Sequence, residues 1–224
     1  MLMSLFGNSQ HTITVHHKYY DVQFDTVLYQ GILTHYTQTV SHHNAPKLKR
    51  EGSELTTFHK DKLIPTKWQT VSKSDYENYN KQYHGDKHNT VDIGHLVPFQ
   101  SMSFDSLAVE ETMMFSTNTA FQVSWFNEEQ WKHIEEIVFD SIGSKQDCEV
   151  YTGVLISYSH PRKYNQVYIP DYYFKVVSVN GKQLAWLGRN TPDNTSTKPS
   201  DAAIELPKLK TIILQYYPTI KLPF

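Results

Sequence analysis

The sequence is short of cysteine, of net charge and of long apolar runs, and each shortage excludes a class of protein. Cys148 is the only cysteine, so one chain can form neither an internal disulfide nor a zinc cluster of thiolates. The formal net charge of -2 at pH 7 argues against a protein that coats nucleic acid by bulk electrostatics. An enzyme with a local basic groove remains compatible with that charge.

Apolar stretches are too short for membrane insertion or export. The segment Met1–Phe6 is apolar for only a few residues, which is too short for a signal-peptide core, and no later run could span a bilayer. We therefore expect no membrane partner, and either a cytoplasmic protein or one from which a leader was removed. The 224 residues contain no linker-like segment and no internal repeat, so we expect a single domain over residues 1–224.

The pattern of apolar residues predicts an α+β protein rather than a doubly wound sheet. Strands are predicted for residues 26–40 with a bulge at Gly31, for a short piece near 55–58, and for 149–157, 172–179 and 183–187. The hydrophilic stretch 73–89 shows no apolar period and is interpreted as a surface loop. A last helix is predicted for residues 204–214, broken by Pro207.

The clearest helix is predicted for residues 127–141, where one apolar stripe recurs at helical spacing. Asn127 is expected to be its N-cap, and Gln130 is expected to complete a capping box. The acidic residues that follow Asn127 suit the positive end of the helix dipole.

Three polar residues near this helix and before it could perform phosphodiester chemistry. Gly94, interpreted as a turn residue, precedes His95 at the end of an apolar strand, where an imidazole could act as a general base. Asn127 offers a carbonyl oxygen to a hard cation such as Mg²⁺. Glu135 lies about 12 Å further along the helix axis, so it would reach the cation through one of its water molecules. Taken singly, these residues also fit a structural histidine, an N-cap and a solvated helix face.

The sequence resembles a family whose pattern includes His95, Asn127 and Glu135. The segment from Asp92 to Pro98 resembles the Asp-Arg-Gly-His-Leu-Ala-Pro signature of the DNA/RNA non-specific endonucleases, which belong to the ββα-metal (His-Me finger) class and include endonuclease G. The likeness covers roughly residues 20 to 220 and implies a central, mainly antiparallel sheet flanked by helices. Further residues that fit the family pattern are Phe58, Asp61, Ile64, Pro65, Asp75, Tyr76, Ser116, Asn118, Gln122, Asn127, Trp131, Glu135, Thr152, Gly153, Ile169, Pro170, Phe174 and Lys175.

The resemblance implies a role for each site residue. His95 would be the general base, Asn127 the only direct protein ligand of one Mg²⁺, with Mn²⁺ as a substitute, and Glu135 would orient a water on that ion. Asn118 would support the site around the histidine, and Arg50 would contact a phosphate. The expected partners are the backbones of DNA and RNA. An inhibitor protein and a second copy of the chain in a homodimer are further expected partners.

The chain departs from the signature at one position. The signature arginine is Ile93 here, and Phe139 stands where some members carry a second cationic residue. Loss of a charge contact to the transition state commonly costs a few kcal/mol. We expect the segment 81–88 to supply substitute cations, through Lys81 and Lys87.

Two alternative interpretations stay open. A catalytically weakened member could serve as a nucleic-acid-binding or protein-interaction module, for which Ile93 and the mildly acidic balance are the arguments. The four-residue spacing of His84 and His88, which flank Asp86, is compatible with zinc on a helix, although Gly85 and the polar surroundings disfavour a helix there.

Overall fold

A central antiparallel sheet with helices around it forms the framework of the computed structural model, which describes residues 11–50 and 54–224. The expectations for Met1–Phe6 lie outside these residues. In chain order the strands are β1 (Thr12–His16), β2 (Asp21–Asp25), β3 (Gln30–Gln38), β4 (His59–Lys60), β5 (Val91–His95), β6 (Met114–Phe115), β7 (Thr119–Val123), β8 (Cys148–Leu155), β9 (Arg162–Tyr164), β10 (Val167–Ile169), β11 (Tyr172–Val179) and β12 (Lys182–Arg189).

The helices pack around these strands. They are α1 (Val40–Asn44), α2 (Lys73–Asn80), α3 (Phe99–Met102), α4 (Ser106–Thr112), α5 (Ser124–Phe126), α6 (Lys132–Glu136), α7 (Pro199–Ala202) and α8 (Leu206–Tyr216), with single 3₁₀ turns at Glu54–Thr56, Thr66–Trp68 and Lys81–Tyr83. Segments α5 and α6 join two π-helical segments, Asn127–Trp131 and Ile137–Ile142, into one uninterrupted helix, called the site helix below. Among the described residues, no helix has the length and apolar character needed to cross a membrane.

The central sheet has the strand order β1-β2-β3-β8-β11-β12, and every neighbouring pair is antiparallel. Strands β8 and β11 at its centre are almost wholly buried, because helices cover the sheet faces there. The expected bulge at Gly31 is confirmed: Gln23 pairs with Leu33, whereas the next residue of β2 pairs with Gly31. Thr117 O lies only 2.1 Å from where a Cβ on Gly31 would stand, so a larger residue is excluded.

A second, two-stranded unit carries the candidate site. Strands β5 and β7 pair antiparallel, with His95 opposite Thr119 and Val91 opposite Val123, and β7 leads directly into the site helix. Two strands followed by a helix form the ββα arrangement that the resemblance implied. The predicted fold class, α+β with a mainly antiparallel central sheet flanked by helices, is therefore confirmed.

The apolar stripe of the site helix packs into the main core, as its spacing predicted. Trp131, Ile134, Val138 and Ile142 are all buried in that core. A smaller core around Tyr76 joins α2 to the paired strands β5 and β7 and includes residues from β10.

Several local predictions were wrong. Residues 73–80 form α2 rather than a loop, because Ser72 and Asp75 make a reciprocal capping box and Tyr76 packs on Phe121 at 4.1 Å. The strand near 55–58 is a 3₁₀ turn followed by β4. Pro207 does not break the last helix but stands in its first turn, where its missing N–H has no helical partner to lose.

The helix start was also predicted wrongly. The site helix begins at Ser124, so Asn127 lies one turn inside it and is not an N-cap. Gln130 forms no capping box, since its side-chain amide donates hydrogen bonds to Ser196 Oγ at 3.0 Å and Lys198 O at 2.9 Å.

Candidate active site

A cleft of about 780 Å³ lies between the end of β5 and the face of the site helix. It brings together four of the predicted site residues, His95, Asn127, Glu135 and Arg50. The remaining lining residues are Phe58, Asp92, Ile93, Pro98, Phe99, Gln100, Glu128, Glu129 and Lys132. Residues that are far apart in the sequence thus form one surface.

His95 is the last residue of β5, partly buried, and its ring lies 5.4 Å from that of Phe58. Its Nε2 is buried without a hydrogen-bond partner among the described residues. Burial, aided by the positive charge of Arg50, lowers the pKa of His95 to about 3. The imidazole is therefore neutral at physiological pH, which leaves a ring nitrogen free to accept a proton.

Asn118 supports the histidine from behind. It is completely buried, and its side chain accepts a hydrogen bond from Val97 N at 2.8 Å and donates to Val97 O and Thr112 O. Its backbone carbonyl accepts a hydrogen bond from Leu96 N. These bonds fix the two residues directly after His95, Leu96 and Val97.

Gly94 is required for close packing, not for a turn. It lies inside β5 with an ordinary negative φ, contrary to the turn expected there. A Cβ at this position would stand 2.2 Å from Gln122 Oε1 and 2.5 Å from Gln122 Cβ. The absence of a side chain therefore lets Gln122 lie against the strand beside His95.

Asn127 is oriented by a residue of β5. Its Nδ2 donates a hydrogen bond to Asp92 Oδ2 at 2.8 Å, while Asp92 Oδ1 accepts one from Ser124 Oγ at 2.8 Å. With the amide nitrogen engaged by Asp92, the carbonyl oxygen of Asn127 is left as the acceptor. The role of Asp92 was missed by sequence reasoning, because it depends on the packing of β5 against the first turn of the site helix.

Glu135 reaches the cleft two turns further along the site helix, and its side chain is 24% exposed. Its Oε1 lies 3.6 Å from Lys175 Nζ, and the Lys175 side chain is fully buried in the central sheet. Burial raises the pKa of Glu135, while the adjacent ammonium opposes that rise. Sequence reasoning placed Lys175 only among residues that fit the family pattern.

The cationic residues that line the cleft are only partly those that were expected. Arg50 lines the cleft with its guanidinium 5.9 Å from the ring centre of Phe99. Lys87 pairs with Glu128 at the cleft edge, but Lys81 bonds Asn78 Oδ1 at 3.2 Å and does not line the cleft.

Lys132 also lines the cleft, and sequence reasoning missed it. Its place on the predicted helix, five residues after the expected metal ligand Asn127, was an available signal. Ile93 lines the cleft beside His95 and packs partly against the smaller core. Phe139 is buried and contacts the ring of His43 at 4.7 Å, so it makes no part of the cleft lining.

The histidine pair 84 and 88 is not on a helix. His84 has a left-handed backbone with φ of 48°, His88 stacks on Trp125, and the Asp86 carboxylate already accepts bonds from His88 N and Asn89 Nδ2. No group of three or more histidine, cysteine or acidic residues suited to a metal occurs in the part of the chain that the structure describes.

Comparisons with known proteins agree with this architecture. The crystal structure of an EndoG/EndoGI complex, which concerns the mechanism of EndoG inhibition, superimposes with a TM-score of 0.68 at 18% identity, over 88% of this chain and 82% of that chain. No curated protein matches. A model of the DNA/RNA non-specific endonuclease family matches residues 4–214. The chain therefore belongs to the DNA/RNA non-specific endonuclease family.

Proposed function

We propose that the protein is a metal-dependent endonuclease that hydrolyses phosphodiester bonds of DNA and RNA in this cleft. The observation that carries the proposal is that the His95 imidazole, whose Nε2 has no hydrogen-bond partner among the described residues, lies in the same cleft as the oriented amide of Asn127. Hydrolysis needs a proton acceptor for water and positive charge near the phosphate. The cleft contains residues of both kinds.

The donor set fits a hard divalent cation. Asn127 would hold it through the carbonyl oxygen, since its nitrogen is committed to Asp92. Among the described residues, the cleft lining also carries four carboxylates, those of Asp92, Glu128, Glu129 and Glu135, against two cationic side chains, those of Arg50 and Lys132. Such an acidic, oxygen-rich surface suits Mg²⁺, and Mn²⁺ can replace it. When bound, the cation supplies positive charge that stabilises the phosphorane and the leaving oxygen.

The remaining roles belong to the protein's own side chains. His95 accepts a proton from the attacking water, whose oxygen bonds to phosphorus while the P–O3′ bond breaks. The 3′ oxygen takes up a proton from solvent water, and the products are a 5′-phosphate and a 3′-hydroxyl. Arg50, exposed at the cleft with its guanidinium 5.9 Å from the ring centre of Phe99, would bind a phosphate of the substrate. Contacts to phosphate carry no sequence information, which supports cleavage of both DNA and RNA.

The net charge of the cleft lining also affects which partners can bind. With more carboxylates than cations, the cleft repels a polyanion until a divalent cation is bound, so binding of nucleic acid should require metal. An inhibitor protein is a candidate partner, because the similar EndoG structure contains EndoGI. We also propose that residues 1–224 form a single domain and that two copies of the chain form a homodimer.

Cleavage assays test the proposed function. Supercoiled plasmid and a structured RNA are incubated with purified protein and Mg²⁺, with EDTA, and with the variants His95→Ala and Asn127→Ala. His160→Ala is the matched control, because His160 is exposed and does not line the cleft. Loss of a general base should lower the cleavage rate by about 100- to 10,000-fold.

The expected result is cleavage by the wild type and by His160→Ala, with loss in EDTA and in both site variants. Folded wild-type protein that binds nucleic acid without cleaving it in Mg²⁺ or Mn²⁺ would overturn the proposal. That result would favour the alternative, a weakened member that acts as a binding module, for which Ile93 beside His95 is the structural argument.

A further inference from the structure

Lys175 is a buried lysine that supports the cleft from within the sheet. It lies on β11, opposite Thr152 on one side and Trp186 on the other, in the interior of the six-stranded sheet. Its side chain is 0% exposed, and Nζ makes no hydrogen bond within 3.5 Å among the described residues. The groups near Nζ are Glu135 Oε1 at 3.6 Å and the Trp131 ring, whose centre is 5.1 Å away.

Packing alone does not explain a lysine at this place. Desolvation disfavours a buried ammonium, and burial lowers the pKa of Lys175 while it raises the pKa of Glu135. An unbranched apolar residue such as methionine would fill a similar volume without that cost, and such replacements of buried ion pairs are often neutral or stabilising. The lysine therefore contributes something that an apolar residue could not.

We propose that Lys175 is a positioning residue for Glu135, an inference that rests on the proposed function. The ammonium holds Oε1 from the sheet side of the site helix, which leaves Oε2 for the cleft that Glu135 lines. The adjacent positive charge also favours the ionised carboxylate, the form that can accept hydrogen bonds from water. Trp131 is fully buried, and its ring centre lies 5.1 Å from the ammonium.

The pairing fixes a side chain that would otherwise be mobile. A glutamate has three rotatable side-chain bonds, and without a partner its carboxylate would sample several rotamers at the cleft wall. Residues that orient a metal-site group in this way typically change activity by about 10- to 100-fold when removed. The effect should appear in the chemical step rather than in binding of nucleic acid, since Lys175 is buried and cannot touch the substrate.

The test compares Lys175→Met with Glu135→Gln and with the double variant, by kcat, KM and urea unfolding in Mg²⁺. Lys182→Met, an exposed lysine of the neighbouring strand, is the matched control. Lys175→Met should lower kcat about 10- to 100-fold with KM and stability retained. If Lys175 acts only through Glu135, the double variant should have the kcat of Glu135→Gln alone, a non-additive cycle.

The possible outcomes separate the role of Lys175 from the proposed function. Unchanged kcat in folded Lys175→Met overturns it, and so does a double variant that loses a further large factor below Glu135→Gln. If Lys175→Met fails to fold, the double variant, which contains neither charge, still permits the comparison with Glu135→Gln. An inactive wild type would refute the proposed function instead, whereas an active wild type with an unaffected Lys175→Met refutes only the role of Lys175.

Discussion

Acidification gives a quantitative test of the environment of His95. The cleft desolvates the imidazole and Arg50 adds positive charge, which together lower its pKa to about 3. An imidazole with the usual pKa of about 6.5 is only about 3% neutral at pH 5, whereas one with a pKa of 3 is about 99% neutral. The structure therefore predicts that His95 stays unprotonated as the pH falls from 7.5 to 5.

The direct assay is an NMR titration of the imidazole carbon-bound protons. The His95 resonance is identified by its absence from the spectrum of His95→Gln. We expect no protonation shift of that resonance above pH 5. In Arg50→Gln the pKa of His95 should rise, but by less than the effect of burial, because burial is the larger cause of the lowered pKa. A titration midpoint near 6.5 in the wild type would refute the reasoning.

The same shift has a consequence for stability. Between pH 6.5 and 3 the unfolded chain binds a proton at residue 95 that the folded protein does not, so this residue makes the folded state less stable as the pH falls below 6.5. At pH 5 the loss is at most about 2 kcal/mol, from 1.5 units at about 1.36 kcal/mol each. Urea unfolding at pH 7.5 and 5 should show a smaller loss for His95→Gln than for the wild type. Equal losses in the two proteins would contradict the predicted desolvation.

Three further predictions concern residues around the histidine. Ile93→Arg should raise kcat/KM for plasmid cleavage by about 10-fold or more, because it places a cation in the cleft lining beside His95. Gly94→Ala should lower the free energy of unfolding by about 1–3 kcal/mol, measured by urea titration, since its Cβ would stand 2.2 Å from Gln122 Oε1. Asn118→Ala should cost about 3 kcal/mol in the same titration, because three side-chain hydrogen bonds to buried backbone groups are lost.

A specific result would contradict each of these three predictions. Cleavage by Ile93→Arg at or below the wild-type rate, in protein of unchanged stability, would show that the missing cation is not what limits the site. Wild-type stability of Gly94→Ala would mean that Gln122 moves aside freely. Asn118→Ala that unfolds at the wild-type urea concentration would show that the segment after His95 is held by other contacts.

The sequence predicted the strand that ends at His95 and the site helix because their signals are local, whereas strand β7 was not predicted. The apolar stripe of the site helix arises from residues that face one core, so periodicity alone locates it. The signature around His95 was recognisable by its resemblance to the family motif. These elements needed no knowledge of what packs against them.

Other features depend on tertiary contacts and could not be read from periodicity. The start of the site helix was misplaced because Asn127 resembles an N-cap, whereas its side chain donates a hydrogen bond to Asp92 of strand β5. Helix α2 was missed because its hydrophilic sequence hides one buried residue, Tyr76, although the Ser72 and Asp75 capping pair was a usable signal. Lys175 and Glu135 form a pair although they are forty positions apart in the sequence, and neither residue carries a local signal of the pairing.

Chemical rescue of a His95→Gly variant tests the central claim most directly. The variant removes the proposed base and leaves a space beside the cleft, into which free imidazole can diffuse. With Mg²⁺ present, the account predicts that His95→Gly has lost cleavage of plasmid and regains it in proportion to neutral imidazole, whereas Asn127→Ala gains nothing from imidazole. A folded His95→Gly variant that cleaves at the wild-type rate without imidazole would contradict the assignment of His95 as the general base.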